Sequence, residues 1–144
     1  MKKTLSALML ILASAFALAA PTADDMVMAA KNNDAATIQE GLKAGFDPNY
    51  KDRQGNSLLI HAAANTSEAA ADALLKGGAD PALRNKSGDD ALNYASIKGS
   101  LPIVKSLVAR GVPVTRRQGW QPLSYAVVGK QGAVFNYLMD KGAD

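Results

Sequence analysis

A phrase of two apolar residues, a glycine and a short exit recurs four times along the chain, and it constrains the fold more than any other feature. Its clearest form is Leu74-Leu75-Lys76-Gly77-Gly78-Ala79-Asp80-Pro81. Gly45 is followed by Phe46-Asp47-Pro48, Gly111 by Val112-Pro113, and Gly142 by Ala143-Asp144. The spacings are 78 − 45 = 33, 111 − 78 = 33 and 142 − 111 = 31. Two further markers keep the same register. Ala29, Ala62, Ala95 and Ala126 each precede one of these glycines by 16 residues, and Gly55, Gly88 and Gly119 precede the last three alanines by 7. Three markers in one period describe a repeat array, in which each unit buries its apolar face against its neighbours.

Each unit reads as a polar turn, a short helix, a break and a second helix. In the second unit Asp52-Arg53-Gln54-Gly55-Asn56 suits a tight turn. Ser57 is placed to cap the helix Leu58–Ala64, Asn65-Thr66-Ser67 break it, and Glu68–Lys76 presents Ala70, Ala71, Leu74 and Leu75 at core-facing spacing. Gly78 is expected to take the left-handed position after that helix, so Gly78→Val should cost more than Gly77→Val. The third unit repeats the plan with Asp90 as cap, an inner helix Ala91–Ile97 and an outer helix Leu101–Ala109. In the fourth, Pro122 falls at the first helical position, where its missing N–H costs nothing. Helices over Leu123–Val128 and Gly132–Lys141 follow, after a turn two residues shorter than the others. The first unit, with helices over Asp24–Lys31 and Ala36–Lys43, lacks a glycine-bearing turn, as terminal repeats often do.

The motif ahead of each inner helix stands as Gly55-Asn56-Ser57-Leu58-Leu59-Ile60-His61-Ala62, Gly88-Asp89-Asp90-Ala91-Leu92-Asn93-Tyr94-Ala95 and Gly119-Trp120-Gln121-Pro122-Leu123-Ser124-Tyr125-Ala126. With the closing Gly-Ala-Asp, this resembles the ankyrin repeat over essentially the whole chain after its first segment. The motif departs from the family inside each unit. The family's Thr is Ser57, Asp90 or Gln121, its Pro survives only as Pro122, and its His is replaced by Ile60, Asn93 and Ser124. The resemblance implies an all-α solenoid of about four helix-turn-helix units joined by short β-hairpin fingers. The units are expected at 22–51, 52–84, 85–115 and 116–144.

The first segment reads differently. Lys2-Lys3, an apolar run from Leu5 to Leu18 and Ala17-Leu18-Ala19 form the three regions of a secretory signal peptide, with cleavage expected after Ala19. The run is short for a membrane span, which needs about 20 residues, so an anchor is the lesser alternative. The chain has no cysteine, which excludes disulfides and a lipid-modified N-terminal Cys. Removing Lys2 and Lys3 takes the net charge from +3 to 3 − 2 = +1, so the precursor's basic pI of 9.2 is a weak argument for nucleic acid. Together with the repeats, the segment makes the chain resemble small exported ankyrin proteins of Gram-negative bacteria, which places it in the periplasm.

No catalytic constellation emerges. His61 is the one histidine, and it reads as a half-buried helix residue; a small hydrolase using it is the alternative of a different class. There is no G-x-S-x-G elbow, and one histidine without a thiol is too few ligands for zinc. Asp24-Asp25 read as helix-start charge and Asp89-Asp90 as fingertip and cap. No phosphate loop or RNA-binding aromatic motif is present. The expected site is therefore a surface for another protein, with no cofactor and no metal. Matched positions place Arg53, Gln54, Asn56, Lys86, Asp89, Arg117 and Trp120 on the fingers and Lys98 at the end of an inner helix. Arg53, Lys86 and Arg117 share one position and should form a basic row; Trp120 is a hot-spot residue type at a polar turn, the other reading being a cap folded over Pro122. The expected role is support of a periplasmic enzyme or assembly, the alternative an immunity-type inhibitor of a toxin acting there. Phe135, Tyr137 and Met139 make the last helix apolar for a terminal repeat, which a longer chain or self-association through that repeat would explain.

Overall fold

The computed structural model describes residues 19–144, so the apolar segment up to Leu18 lies outside the described residues. Eight helices follow in pairs: α1 (Ala23–Lys31) and α2 (Ala35–Lys43), α3 (Leu58–Ala64) and α4 (Glu68–Lys76), α5 (Ala91–Lys98) and α6 (Leu101–Ala109), α7 (Pro122–Val128) and α8 (Gly132–Asp140). The odd-numbered, inner helices pack on one another in sequence order, and so do the even-numbered, outer ones. Each pair also packs internally, which makes the array a solenoid. Among the described residues there is no strand. A β-bridge joins Lys51 to Ser57, so the first finger is a single rung and the others are turns. No helix among the described residues is long and apolar enough to cross a membrane.

Each sequence marker has a backbone reason. After α4, the N–H of Ala79 donates to the Leu74 carbonyl at 2.9 Å and that of Gly78 to Leu75 at 3.2 Å. This paired closure requires the left-handed position, and Gly78 takes it at φ 93°. Ala79, Val112 and Ala143, the residues just after the marker glycines, are buried plugs under the helix ends. The marker alanines do a second job. The carbonyls of Ala29, Ala62, Ala95 and Ala126 accept from the first N–H ahead of the outer helices, on Asp34, Ser67, Ser100 and Gln131, at 2.9, 2.9, 3.1 and 2.8 Å. The break between inner and outer helix is left-handed in every unit, at Asn33, Thr66, Gly99 and Lys130.

Capping follows the side chains. Ser57 accepts from the Ile60 N–H and Asp90 from that of Asn93. Thr22 and Asp25 form a reciprocal capping box at the start of α1, a use of Asp25 more specific than dipole charge. Pro122 is the first residue of α7 and is buried.

The core runs continuously through the units. Leu58, Leu59, Ile60, Leu74, Leu92, Ile103, Val104, Leu107, Val134 and Leu138 are fully buried, with Met26 and Ile38 in the first unit. Each such side chain contributes about 1.5–3 kcal/mol relative to exposure. Small residues let helices approach. A Cβ on Gly129 would lie 2.1 Å from the Ile97 carbonyl oxygen, so α7 ends in contact with the preceding inner helix.

Candidate functional site

The fingers are built on their first residue. Asp52 Oδ1 accepts from the N–H groups of Gln54 and Asn56, each at 2.9 Å, and the Asp52 N–H closes on the Asn56 carbonyl at 3.0 Å. Asn85 repeats this with Ser87 and Asp89, both at 3.0 Å, closing at 2.8 Å. The same side chains brace the inner helix nine residues on. Asp52 Oδ2 meets His61 Nε2 at 2.8 Å, and Asn85 Nδ2 donates to the Tyr94 hydroxyl at 3.1 Å. Burial alone would raise the Asp52 carboxyl; the Asn56 N–H, His61 and the Gln54 N–H together outweigh it and hold the group below the usual carboxylate range. His61 is thus a structural partner of Asp52, half-buried as its sequence position suggests.

The third finger breaks the pattern. Arg116 occupies the place of Asp52 and Asn85 but cannot accept from its own turn. Gln121 takes over: Oε1 accepts from the Arg116 N–H at 2.5 Å, and Nε2 donates to the Arg116 carbonyl at 2.8 Å. The Arg116 guanidinium instead reaches back one repeat to Asp90, and the two side chains are 6% and 1% exposed. Burial pushes the Asp90 carboxyl up and the Arg116 guanidinium down, while each opposes that push on the other. Beside them the Tyr125 hydroxyl donates to Asp89 Oδ1 at 2.6 Å, and Asn93 Nδ2 donates to the same oxygen at 2.9 Å. Burial, then the Asp89 carboxylate, push the Tyr125 phenol up to about 12, so it remains a donor at neutral pH.

Of the residues expected to meet a partner, some are committed to the fold. Asn56 is half-buried and accepts from Asn85 Nδ2 at 2.9 Å. Asp89 is half-buried between Asn93 and Tyr125. Lys86 is exposed, but its amine rests on the Arg53 carbonyl at 2.6 Å, and its own N–H donates to the Gln54 carbonyl at 3.2 Å. The side chains of Arg53, Gln54, Lys98 and Arg117 are exposed. Trp120 is 63% exposed, its ring centroid 5.8 Å from that of Tyr125. Val127 and Val128, at the end of α7, are each 59% exposed. The Asp90–Arg116 pair was missed altogether. Its signal was present: a basic residue at a position that elsewhere carries an acceptor.

Among the described residues, no group of three or more His, Cys, Asp or Glu is placed to hold a metal ion. The cleft against the third finger, about 610 Å³, is lined by Arg84, Pro113, Thr115, Arg116, Arg117 and Gln118.

No curated protein matches the chain. A family profile described as "Ankyrin repeats (3 copies)" matches it over residues 26–118 and again over 70–144. Ankyrin-repeat proteins are generally non-enzymatic modules that bind other proteins. On the period, the paired helices and this match, the chain belongs to the ankyrin-repeat family.

Proposed function

We propose that the protein is a binding module of the periplasm, exported through a signal peptide ending at Ala19, which supports a periplasmic enzyme or assembly through its finger face. The observation that carries this reading is Trp120, left 63% exposed on a finger whose backbone is clamped by Gln121. A large aromatic on a rigid turn offers contact area at small entropic cost, and Trp and Arg are the residue types that most often carry binding energy. Arg53, Gln54 and Arg117 stand exposed on the same series of fingers, and the curvature of repeat stacks makes such a face the usual binding side.

His61 gives little support to the hydrolase alternative. Its Nε2 is engaged by Asp52, and the nearby Ser57 hydroxyl is buried as a helix cap. A toxin-neutralising role uses the same face and is favoured specifically by the arginines of the third-finger cleft.

The test is affinity capture. Protein beginning at Ala20, immobilised and exposed to periplasmic extract, should retain a specific partner at stoichiometric yield. Turnover of a substrate by the isolated protein, abolished by His61→Gln, would overturn the binding-module reading.

A further inference from the structure

We infer that the cleft between Arg84 and the third finger is a carboxylate-binding site, which takes an Asp or Glu side chain from an acidic segment of the partner. The inference rests on the protein-binding reading and names what that partner must present. The cleft is lined by three arginines, Arg84, Arg116 and Arg117. Only one of them is spent: Arg116 is buried on Asp90. Arg84 and Arg117 are exposed, and among the described residues neither has a carboxylate within 4.0 Å.

Both are held on fixed backbone. Lys51 donates to the Arg84 carbonyl at 2.9 Å, tying the base of the second finger to the first. Gln121 clamps Arg116 from both sides, which fixes the turn carrying Arg117. Two planar donor forks on rigid turns are suited to bidentate capture of a carboxylate. The charges are also poorly balanced from within. Arg84 acts against the charge on Arg116 while favouring that on Asp90, so one internal carboxylate serves a cluster of cations. An incoming anion relieves that repulsion.

Charge pattern selects the occupant. Asp47, Asp80 and Asp89 are interspersed in sequence with Lys51, Arg84 and Lys86, so the fingers do not carry the continuous positive stripe on which a nucleic-acid backbone depends. A short acidic peptide segment needs only the local cleft.

The test is a titration of ¹⁵N-labelled protein with a hexaglutamate peptide, read at the arginine Nε–H signals. The Arg84 and Arg117 signals should shift saturably, with Arg53 and Arg110 unmoved. Arg84→Gln and Arg117→Gln should each weaken binding at least tenfold, Arg84→Lys less, and Arg110→Gln not at all. Inorganic phosphate at equal charge should compete weakly. Equal shifts at Arg110 would show diffuse charge attraction, and tighter binding of a short single-stranded oligonucleotide would show a nucleic-acid surface; either result overturns the inference. A captured partner whose affinity is unchanged by Arg84→Gln and Arg117→Gln overturns it while leaving the module reading intact. Hexaglutamate binding without any captured partner does the reverse.

Discussion

Lys86 lays its amine on the backbone carbonyl of Arg53, its own counterpart one repeat earlier, at 2.6 Å. Lys51 answers in the other direction, donating to the carbonyl of Arg84 at 2.9 Å. The first two fingers are thus stapled by a reciprocal pair of lysines. A basic residue in this row fastens neighbouring fingers as well as presenting charge. Both staples are solvent-exposed, so each should contribute modestly, about 0.5 kcal/mol. Lys86→Met and Lys51→Met keep the aliphatic stem and remove the donor. Urea unfolding of each should show that small loss, and the double variant roughly twice it. Unchanged midpoints in all three variants would mean that the staples carry no stability.

The Asp90–Arg116 pair makes a larger and more specific prediction. Arg116→Met leaves a buried carboxylate without its partner, and losses of that kind run to about 3–5 kcal/mol. Asp90→Ser keeps the helix cap, as Ser57 does one repeat earlier, while deleting the charge. Adding Asp90→Ser to Arg116→Met should therefore recover most of the loss. A double-mutant cycle by chemical denaturation reads the coupling, and strictly additive losses would refute it.

How much of this was legible follows the same division. The period, the eight helices and three of the caps could be read because they depend on local chemistry: a glycine at φ 93°, a serine ahead of an apolar run, a proline at a helix start. The alanine marker was visible too, although its carbonyl's role was not. Contacts between repeats were out of reach. Asp90 and Arg116 lie 26 residues apart, and Tyr125 and Asp89 lie 36 apart. Nothing local tells a fingertip polar side chain from one turned inward, so Asn56 and Asp89 read as free surface and are in fact ties between units.

Gly77 and Gly78 bear on the expectation that Gly78→Val costs more than Gly77→Val. Gly78 has the left-handed φ, and a Cβ there would meet nothing within 4 Å. Gly77 has an ordinary φ of −81°, but a Cβ there would lie 2.2 Å from Leu42 Cδ1 of the preceding outer helix. The two glycines are needed for different reasons, so the cost of Gly77→Val need not be the smaller. Gly78→Asn should retain most stability because Asn tolerates the left-handed region, whereas Gly77→Asn should not. Thermal melts of the two Asn variants separate the causes; equal losses would contradict the assignment.

The Asp52–His61 brace predicts a pH dependence with a definite sign. The folded-state Asp52 carboxyl lies below its ordinary value, so its contribution is present above the unfolded pKa, about 3.9, and is lost as pH falls through the depressed folded value. Asp52→Asn retains the acceptor of the turn, as Asn85 shows at the same position, and removes only the charge. The wild-type advantage over Asp52→Asn should be present at pH 6 and shrink as the solution is acidified below about 4. Combining Asp52→Asn with His61→Tyr copies the Asn85–Tyr94 pair and should restore stability at pH 6. A wild-type advantage that grows on acidification would reverse the sign and contradict the account.

The most direct test of the binding face is Trp120→Ala, measured on the captured partner by calorimetry and on the free protein by thermal melting. Trp120 is 63% exposed beside Tyr125, so its removal should leave the melting temperature nearly unchanged. Affinity should fall by about 2 kcal/mol or more, the scale of an interface hot spot. A lowered melting temperature with unchanged affinity would make Trp120 a brace for the third finger and contradict the proposal that this face holds the partner.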